Sequence, residues 1–419
     1  MDDTTKASQR TVFGSSASKI PSEGTIRALQ FGENVSETPP NLPARKMSMR
    51  SVVSTSSSSP ERTTKAMAKP ADDRGTFRVI GRGTVGTVFE MPGTEIAVKK
   101  GRDQQALYND YYLTSHVFTS FQKAKHRLQD LYPSLVIPKS PACLRYKTQE
   151  SKDYWSTNLS RFPSAHKDPG AAFEMDKILP IPQVYRELLI NTYFDEASEI
   201  REEAKNDEGN QHCLIRIYLG ERETEEQMQC AYDSLENFPM RLNMVEHFMA
   251  EDKSVFAGEM ALALSIIHWQ AQIDGMDCEY VVGGSISPPE KRRLELNHSN
   301  PIIPQFHDHE IGTFNHRPLH LWVLDFDKAS PFQLTEEDVD RRLIPGFVGN
   351  DPYYPRPNVD KDLWDHFCSV YLKASKAILT SRDKGEKILA LPQRFLRKVE
   401  LRIEEHEKWD REHEIVFRE

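Results

Sequence analysis

The sequence predicts an α+β protein in which a small β-rich N-terminal lobe precedes a larger helical C-terminal lobe. A G-x-G-x-x-G-x-V run occupies residues 81–88, and a short apolar strand pattern that ends in Lys99 follows it. Apolar residues recur at helical spacing over residues 103–131 and again from residue 235.

Residues 77–99 favour three antiparallel strands joined by tight turns. Residues 77–80 alternate apolar and polar side chains, residues 87–90 form the returning strand, and a turn precedes residues 95–99. A dinucleotide-binding fold is excluded, because its glycines open a helix, whereas β-branched and aromatic residues follow here. Glycine backbone in such a hairpin can close over phosphates, which a lysine on the neighbouring strand can reach.

The predicted helix over residues 103–131 carries one acid, Asp110, on its apolar stripe. A buried acid needs a cationic partner, and Lys99 is the candidate if this helix packs against the strand that carries it. The alternative is that Asp110 lies at the solvent-exposed edge of the stripe. Two further strands are predicted at residues 141–146 and 171–178, with a polar loop at residues 152–170 between them.

The later part of the sequence places acids beside apolar segments. A helical stripe over residues 255–267 precedes an acidic loop at residues 274–279 and a short apolar strand. A second apolar strand, from residue 321, ends in Asp325 and Asp327. Because charged side chains are seldom fully buried, we expect these acids to face a cleft.

Composition and charge restrict the class of protein. With a net charge of −9, the chain lacks the basic surface that non-specific nucleic-acid binding needs. It has no apolar run of about eighteen residues and no signal sequence, so neither a membrane span nor secretion is expected. Five scattered cysteines argue against a disulfide framework. We therefore expect an intracellular protein of the cytoplasm or nucleus.

The glycine run, the strand lysine, the acidic loop and the Asp at a strand end follow one another in this order. With this order, residues 76–375 resemble the eukaryotic protein-kinase fold. Three segments, residues 268–275, 322–329 and 350–357, also resemble a fungal family of uncharacterised proteins, a domain of unknown function. The fungal resemblance implies no activity. The kinase resemblance implies a two-lobed fold that uses ATP and Mg²⁺.

The kinase resemblance assigns residues to a nucleotide site. It implies that the glycine hairpin covers the phosphates, that two apolar residues contact the base, and that a lysine contacts the α and β phosphates. An acid on the following helix, one methylene shorter than the usual glutamate, would pair with that lysine. These residues are Gly81, Gly83, Gly86, Val88, Ala97, Lys99 and Asp110.

The same resemblance implies a catalytic base and metal ligands. Asp274 and Glu279 have the five-residue spacing of the catalytic base and the metal-binding residue, and Asp325 matches the metal-binding Asp of the D-F-G element. The chain departs from the family pattern at several points. Glu279 replaces an asparagine and Asp327 a glycine, and the His-Arg pair before the base is absent.

The expected domain organisation has four segments. They are a disordered Ser/Thr-rich tail (1–70), a kinase-like N-lobe (71–180), a kinase-like C-lobe with polar insertions (181–395) and a charged C-terminal helix (396–419). The tail has ten Lys and Arg against six Asp and Glu, and serines beside basic residues at 45–51, so it is a candidate segment for protein partners.

Two functions fit these features. One is an ATP- and Mg-dependent phosphotransferase that acts on a hydroxyl of a protein or small molecule. The other is a catalytically impaired pseudokinase that acts as a nucleotide-binding or protein-interaction scaffold. A third reading is a metal site formed by His307, His309, His316 and His320, whose spacing could provide imidazole ligands. The alternative to a metal site is that these four histidines are ordinary surface residues.

Overall fold

The computed structural model describes residues 52–54, 75–224, 227, 232–285 and 316–414. The strands in chain order are β1 (Val52–Ser54), β2 (Arg78–Arg82), β3 (Thr87–Glu90), β4 (Ile96–Gly101), β5 (Cys143–Lys147), β6 (Ala171–Asp176), β7 (Ile215–Tyr218), β8 (Pro239–Arg241), β9 (Glu279–Gly284) and β10 (His316–Leu324).

The α-helices lie mainly in the later part of the chain. In order they are α1 (Gln104–Leu131), α2 (Lys152–Asn158), α3 (Gln183–Tyr193), α4 (Ser198–Asn206), α5 (Leu242–Phe248), α6 (Lys253–Ser265), α7 (Glu336–Asp338), α8 (Ile344–Val348), α9 (Lys361–Ser381), α10 (Glu386–Leu389) and α11 (Leu391–Glu414). The predicted α+β class, with a β-rich region and a helical region, is confirmed.

The first sheet has the strand order β2-β3-β4-β6-β5, and all neighbouring strands are antiparallel. Successive side chains of β6 point to opposite faces, as a pleated strand requires. Phe173 packs with Leu107 of α1 on one face, while Ala172 packs with Phe89 and Trp155 on the other. The sheet is therefore covered on both faces.

The predicted polar loop at residues 152–170 is wrong in part, because residues 152–158 form α2. Trp155 explains the helix: its side chain is buried against the sheet, and its indole N–H donates to the carbonyl of Thr148 at 2.8 Å. A single large apolar residue is too weak a signal for helical periodicity, although it suffices to anchor two turns.

The helical region is built around α6. Every residue from Phe256 to Ser265 is buried, which places α6 at the centre of the core, and α9 packs along it. A second sheet, in the order β1-β10-β9-β7-β8, lies in the same part of the chain. Strands β9 and β10 pair antiparallel, so the first residue of β9, Glu279, lies opposite the last residue of β10, Leu324.

Both ends of the chain differ in detail from the expectation. The predicted disordered tail of residues 1–70 lies outside the described residues except for 52–54, which form β1 and pair with β10. The predicted C-terminal helix begins earlier than expected, at Leu391. Within the described part of the chain, no helix combines the length and apolar character that crossing a membrane requires.

Candidate functional site

A cavity of about 500 Å³ lies between the first sheet and the acidic ends of β9 and β10. This volume is in the usual range for a small-molecule site. Predicted site residues that line it are Gly81, Gly83, Val88, Ala97, Lys99, Asp110, Glu279 and Asp325. Two predicted residues, Gly86 and Asp274, do not line it.

Lys99 connects two acids that are distant in sequence. Its ammonium donates to Oδ2 of Asp110 at 2.6 Å and to Oδ1 of Asp325 at 3.0 Å. Asp110 is also held by the hydroxyl of Thr114, which donates to Oδ1 at 3.1 Å. The predicted contact between the helix acid and the strand lysine is therefore present.

Burial makes this contact strong. Lys99 and Asp110 are 6% and 2% exposed, so water barely screens their charges. Burial disfavours the charged form of Lys99, but the carboxylates of Asp110 and Asp325 outweigh it and raise the pKa of the lysine. Lys99 is thus a fixed positive charge inside the cavity.

The three hairpin glycines have different surroundings. A Cβ on Gly83 would lie 3.7 Å from its nearest neighbour and one on Gly81 also 3.7 Å, which are ordinary contact distances. A Cβ on Gly86 would lie 2.6 Å from the carbonyl oxygen of Lys100. Gly86 therefore permits the close approach of β3 to β4 and does not line the main cavity, and its contact with phosphates stays a prediction.

We expect Gly86→Ala to lower the free energy of unfolding by about 1–3 kcal/mol, because the added methyl meets fixed backbone. Gly83→Ala is the matched control, and we expect it to change that free energy by less than about 0.5 kcal/mol. Urea denaturation of both variants checks this. Equal effects of the two substitutions would contradict the assignment.

Part of the cavity wall is apolar. Val88 and Ala97 lie on neighbouring strands of the first sheet, and both line the cavity. Met175 lines it from β6, and Val281 and Leu324 line it from the second sheet. The cavity wall therefore combines apolar side chains with charged ones, as small-molecule sites usually do.

Glu279 begins β9 and forms an ion pair with Arg216 of β7, at 2.5 Å between Oε1 and an Nη atom. Burial raises the pKa of Glu279 to about 7; Arg216 lowers it, but Asp325, Asp277 and Asp351 raise it further. Glu279 therefore titrates near neutral pH.

The raised pKa of Glu279 predicts a pH dependence of stability. An unfolded glutamate has a pKa of about 4.3, so the folded protein binds this proton more tightly. The stabilisation is complete below about pH 4 and is lost as pH rises through about 7.

We therefore expect the free energy of unfolding of the wild type to fall more between about pH 5 and pH 8 than that of Glu279→Gln. The difference should be on the order of 1–3 kcal/mol. Urea denaturation across this pH range measures it. Parallel pH profiles would contradict the raised pKa.

Asp325 follows β10 in a left-handed backbone conformation, with φ of 62°. This conformation is uncommon for residues other than glycine, although Asp and Asn adopt it more easily than most. It turns the carboxylate toward Lys99. Two residues later, Oδ1 of Asp327 is buried and has no hydrogen-bond partner among the described residues.

The acids around Asp325 suit a hard cation that is held partly by a ligand. No group of three His, Cys, Asp or Glu side chains in the described residues is arranged to hold a metal ion alone. Mg²⁺ usually takes one or two protein carboxylates together with substrate phosphates and water. Asp325 and Glu279 fit that role, and the unpartnered oxygen of Asp327 adds an acceptor beside them.

The predicted catalytic base, Asp274, is placed differently from the prediction. It is 7% exposed, and its Oδ1 accepts backbone N–H groups of Met276 at 3.1 Å and Ser330 at 2.9 Å. These bonds tie the acidic loop to the segment after β10. Asp274 therefore acts as a structural anchor in this arrangement, and Asp277 of the same loop lines the cavity instead.

The predicted histidine cluster is only partly visible. His307 and His309 lie outside the described residues, as does the side chain of His316. His320 lies within β10, where burial lowers its pKa to about 3. A metal site formed by His307, His309, His316 and His320 stays a prediction.

Arg216 and Asp277 line the cavity but are not among the predicted site residues. Arg216 interrupts an apolar strand pattern between two isoleucines, and this single polar residue was the signal for a buried charge partner. Asp277 lies in the predicted acidic loop, but the five-residue spacing to Glu279 indicated Asp274 as the base.

A family model named DUF3669 and described as "Zinc finger protein" matches residues 321–383. No curated protein and no solved structure matches the chain. The matched segment is less than a sixth of the chain and includes Asp325. It contains one histidine, His366, and one cysteine, Cys368, whereas a structural zinc site takes four ligands. The resemblances to protein kinases and to the fungal family stay predictions.

Proposed function

We propose that the chain is a two-lobed, protein-kinase-like phosphotransferase that binds Mg-ATP in this cavity. The observation that carries the proposal is the position of Lys99, between Asp110 of α1 and Asp325 after β10. Protein kinases use a strand lysine that pairs with a helix acid, and a metal-binding Asp close to both. The fungal resemblance of residues 268–275, 322–329 and 350–357 is part of the same proposal.

The topology supports the same function. Three antiparallel strands come first, α1 follows the third, and two more strands complete a sheet that α1 covers. This order places a glycine hairpin and Lys99 over one side of the cavity. The ends of β9 and β10 bring Glu279 and Asp325 to the other side.

In this proposal each group of residues has one task. Val88 and Ala97 contact the base, and Gly81 and Gly83 leave room for phosphates. Lys99 orients the α and β phosphates through its ammonium. Mg²⁺, held by Asp325 and Glu279, supplies charge neutralisation of the phosphates. The acceptor is a hydroxyl of a protein or a small molecule, and the tail is a candidate contact for protein partners.

A catalytically impaired scaffold is the second candidate. It is favoured by Asp274, whose carboxylate is held by backbone amides outside the cavity. A general base must reach the proton that it takes. If no other residue acts as the general base, the protein can bind nucleotide but cannot transfer a phosphoryl group.

The binding part of the proposal is tested by thermal unfolding with and without Mg-ATP, since a ligand that binds only the folded state stabilises it. At a concentration about a hundred times the Kd, the expected gain is about 2.7 kcal/mol. We expect a rise in Tm for the wild type and none for Lys99→Met.

Lys100→Met is the matched control. Lys100 is the next residue on β4, but its ammonium lies over the rings of Trp155 and Phe162 on the other face of the sheet. We expect this variant to keep the nucleotide-dependent rise in Tm. A loss in both variants, or no rise in the wild type, would count against the site.

A further inference from the structure

Asp277 occupies a turn that lines the cavity. It lies between Asp274 and β9 in a left-handed conformation, with φ of 61°, and the N–H of Cys278 donates to the carbonyl of Gly275 at 3.3 Å. The turn places the side chain of Asp277 in the cavity wall, next to the acids that end β10. Asp274, three residues earlier, is held away from it.

Asp277 is more accessible than the two acids proposed to hold Mg²⁺. The side chain of Asp277 is 44% exposed, against 21% for Glu279 and 23% for Asp325. Glu279 is paired with Arg216, and Asp325 is paired with Lys99. Asp277 is therefore better placed than these two acids to meet a group that enters from solvent.

The partner of Asp277 is easily exchanged. Lys328 donates to its Oδ2 at 2.6 Å, but the lysine side chain is 53% exposed. Exposed ion pairs contribute about 0–1 kcal/mol, so an incoming hydroxyl can share this carboxylate at little cost. Lys328 lies three residues after Asp325, and the pair therefore holds the turn beside the proposed metal ligand.

We propose that Asp277, rather than Asp274, contacts the acceptor hydroxyl during phosphoryl transfer. This inference rests on the proposed function. The acceptor oxygen forms a bond to the γ phosphorus, and the bond from that phosphorus to the β–γ bridging oxygen breaks. ADP leaves with the electron pair. The hydroxyl proton passes to the carboxylate of Asp277 and then to solvent.

The test measures ADP formation and Mg-ATP binding on the same preparations. The acceptors are water and the hydroxyls of the chain itself, whose first 70 residues are rich in Ser and Thr. We expect Asp277→Asn to lower kcat about 10²-fold or more, as loss of a general base does, with KM for Mg-ATP within about twofold of wild type.

Asp383→Asn is the matched control. Asp383 is an aspartate that, like Asp277, has a left-handed conformation, with φ of 51°; it is exposed and does not line the cavity. The same chemical change in the same backbone conformation should leave kcat unchanged. A merely structural effect of Asp277→Asn would appear as a lower Tm or weaker Mg-ATP binding.

Three results would overturn the inference. A wild-type rate in Asp277→Asn excludes Asp277, and a rate lost only in Asp274→Asn returns the role to Asp274; the proposed function survives both. Mg-ATP binding without ADP formation above the Lys99→Met background removes the transfer reaction and leaves the scaffold. Absence of Mg-ATP binding would instead contradict the proposed function itself, and the binding measurement distinguishes this result from the other three.

Discussion

Replacement of Lys99 by Met is expected to abolish Mg-ATP binding and to lower the free energy of unfolding by about 3–5 kcal/mol. The ammonium is the buried partner of Asp110, whose side chain is 3% exposed. Without it, Asp110 keeps only the hydrogen bond from Thr114 and must lie as a charge in the core or bind a proton. Urea denaturation measures the loss.

A double variant separates the stabilising role of this pair from its role in binding. Lys99→Met with Asp110→Leu replaces the buried pair by apolar groups, and such replacements often restore stability. We expect the double variant to recover most of the lost free energy but no Mg-ATP binding. A cost below about 1 kcal/mol for Lys99→Met alone would show that the two charges are not coupled.

Asp325→Asn is expected to weaken Mg-ATP binding on the order of 100-fold, because it removes a direct ligand; outer partners of metal ligands already cost 10–100-fold. Asparagine keeps the shape of the side chain and tolerates the left-handed backbone. Lys99 retains Asp110, so the fold should persist. Isothermal titration calorimetry gives the affinity.

The control for Asp325→Asn is ATP in the presence of EDTA. Without Mg²⁺ the variant should bind ATP as well as the wild type or better, since a negative charge near the phosphates has been removed. The effect is therefore confined to the metal-dependent part of binding. An equal gain in affinity from Mg²⁺ in wild type and variant would exclude Asp325 as a ligand.

Local patterns predicted much of the fold. The helical stripe over residues 103–131 and the strands around the glycine run follow from the periodicity of apolar side chains, which is local information. The contact between Lys99 and Asp110 was predictable for a related reason. An acid on an apolar stripe needs a partner, and a lysine on the preceding strand was the nearest candidate.

The direction of individual side chains was not predictable. Gly86 belongs to the same glycine run as Gly83, but its function depends on how closely β3 approaches Lys100, which only the strand register determines. Asp274 and Asp277 lie in one acidic loop. Which of them faces the cavity depends on backbone hydrogen bonds to Ser330, 56 residues later in the chain.

The most direct test of a Mg-nucleotide site around Lys99 is equilibrium dialysis of ATP against the wild-type chain, with Mg²⁺ or with EDTA. We predict saturable binding of one ATP per chain in Mg²⁺ and weaker binding in EDTA, with no saturable binding to Lys99→Met. Absence of saturable binding at millimolar Mg-ATP, or equal binding to the wild type and Lys99→Met, would contradict this site.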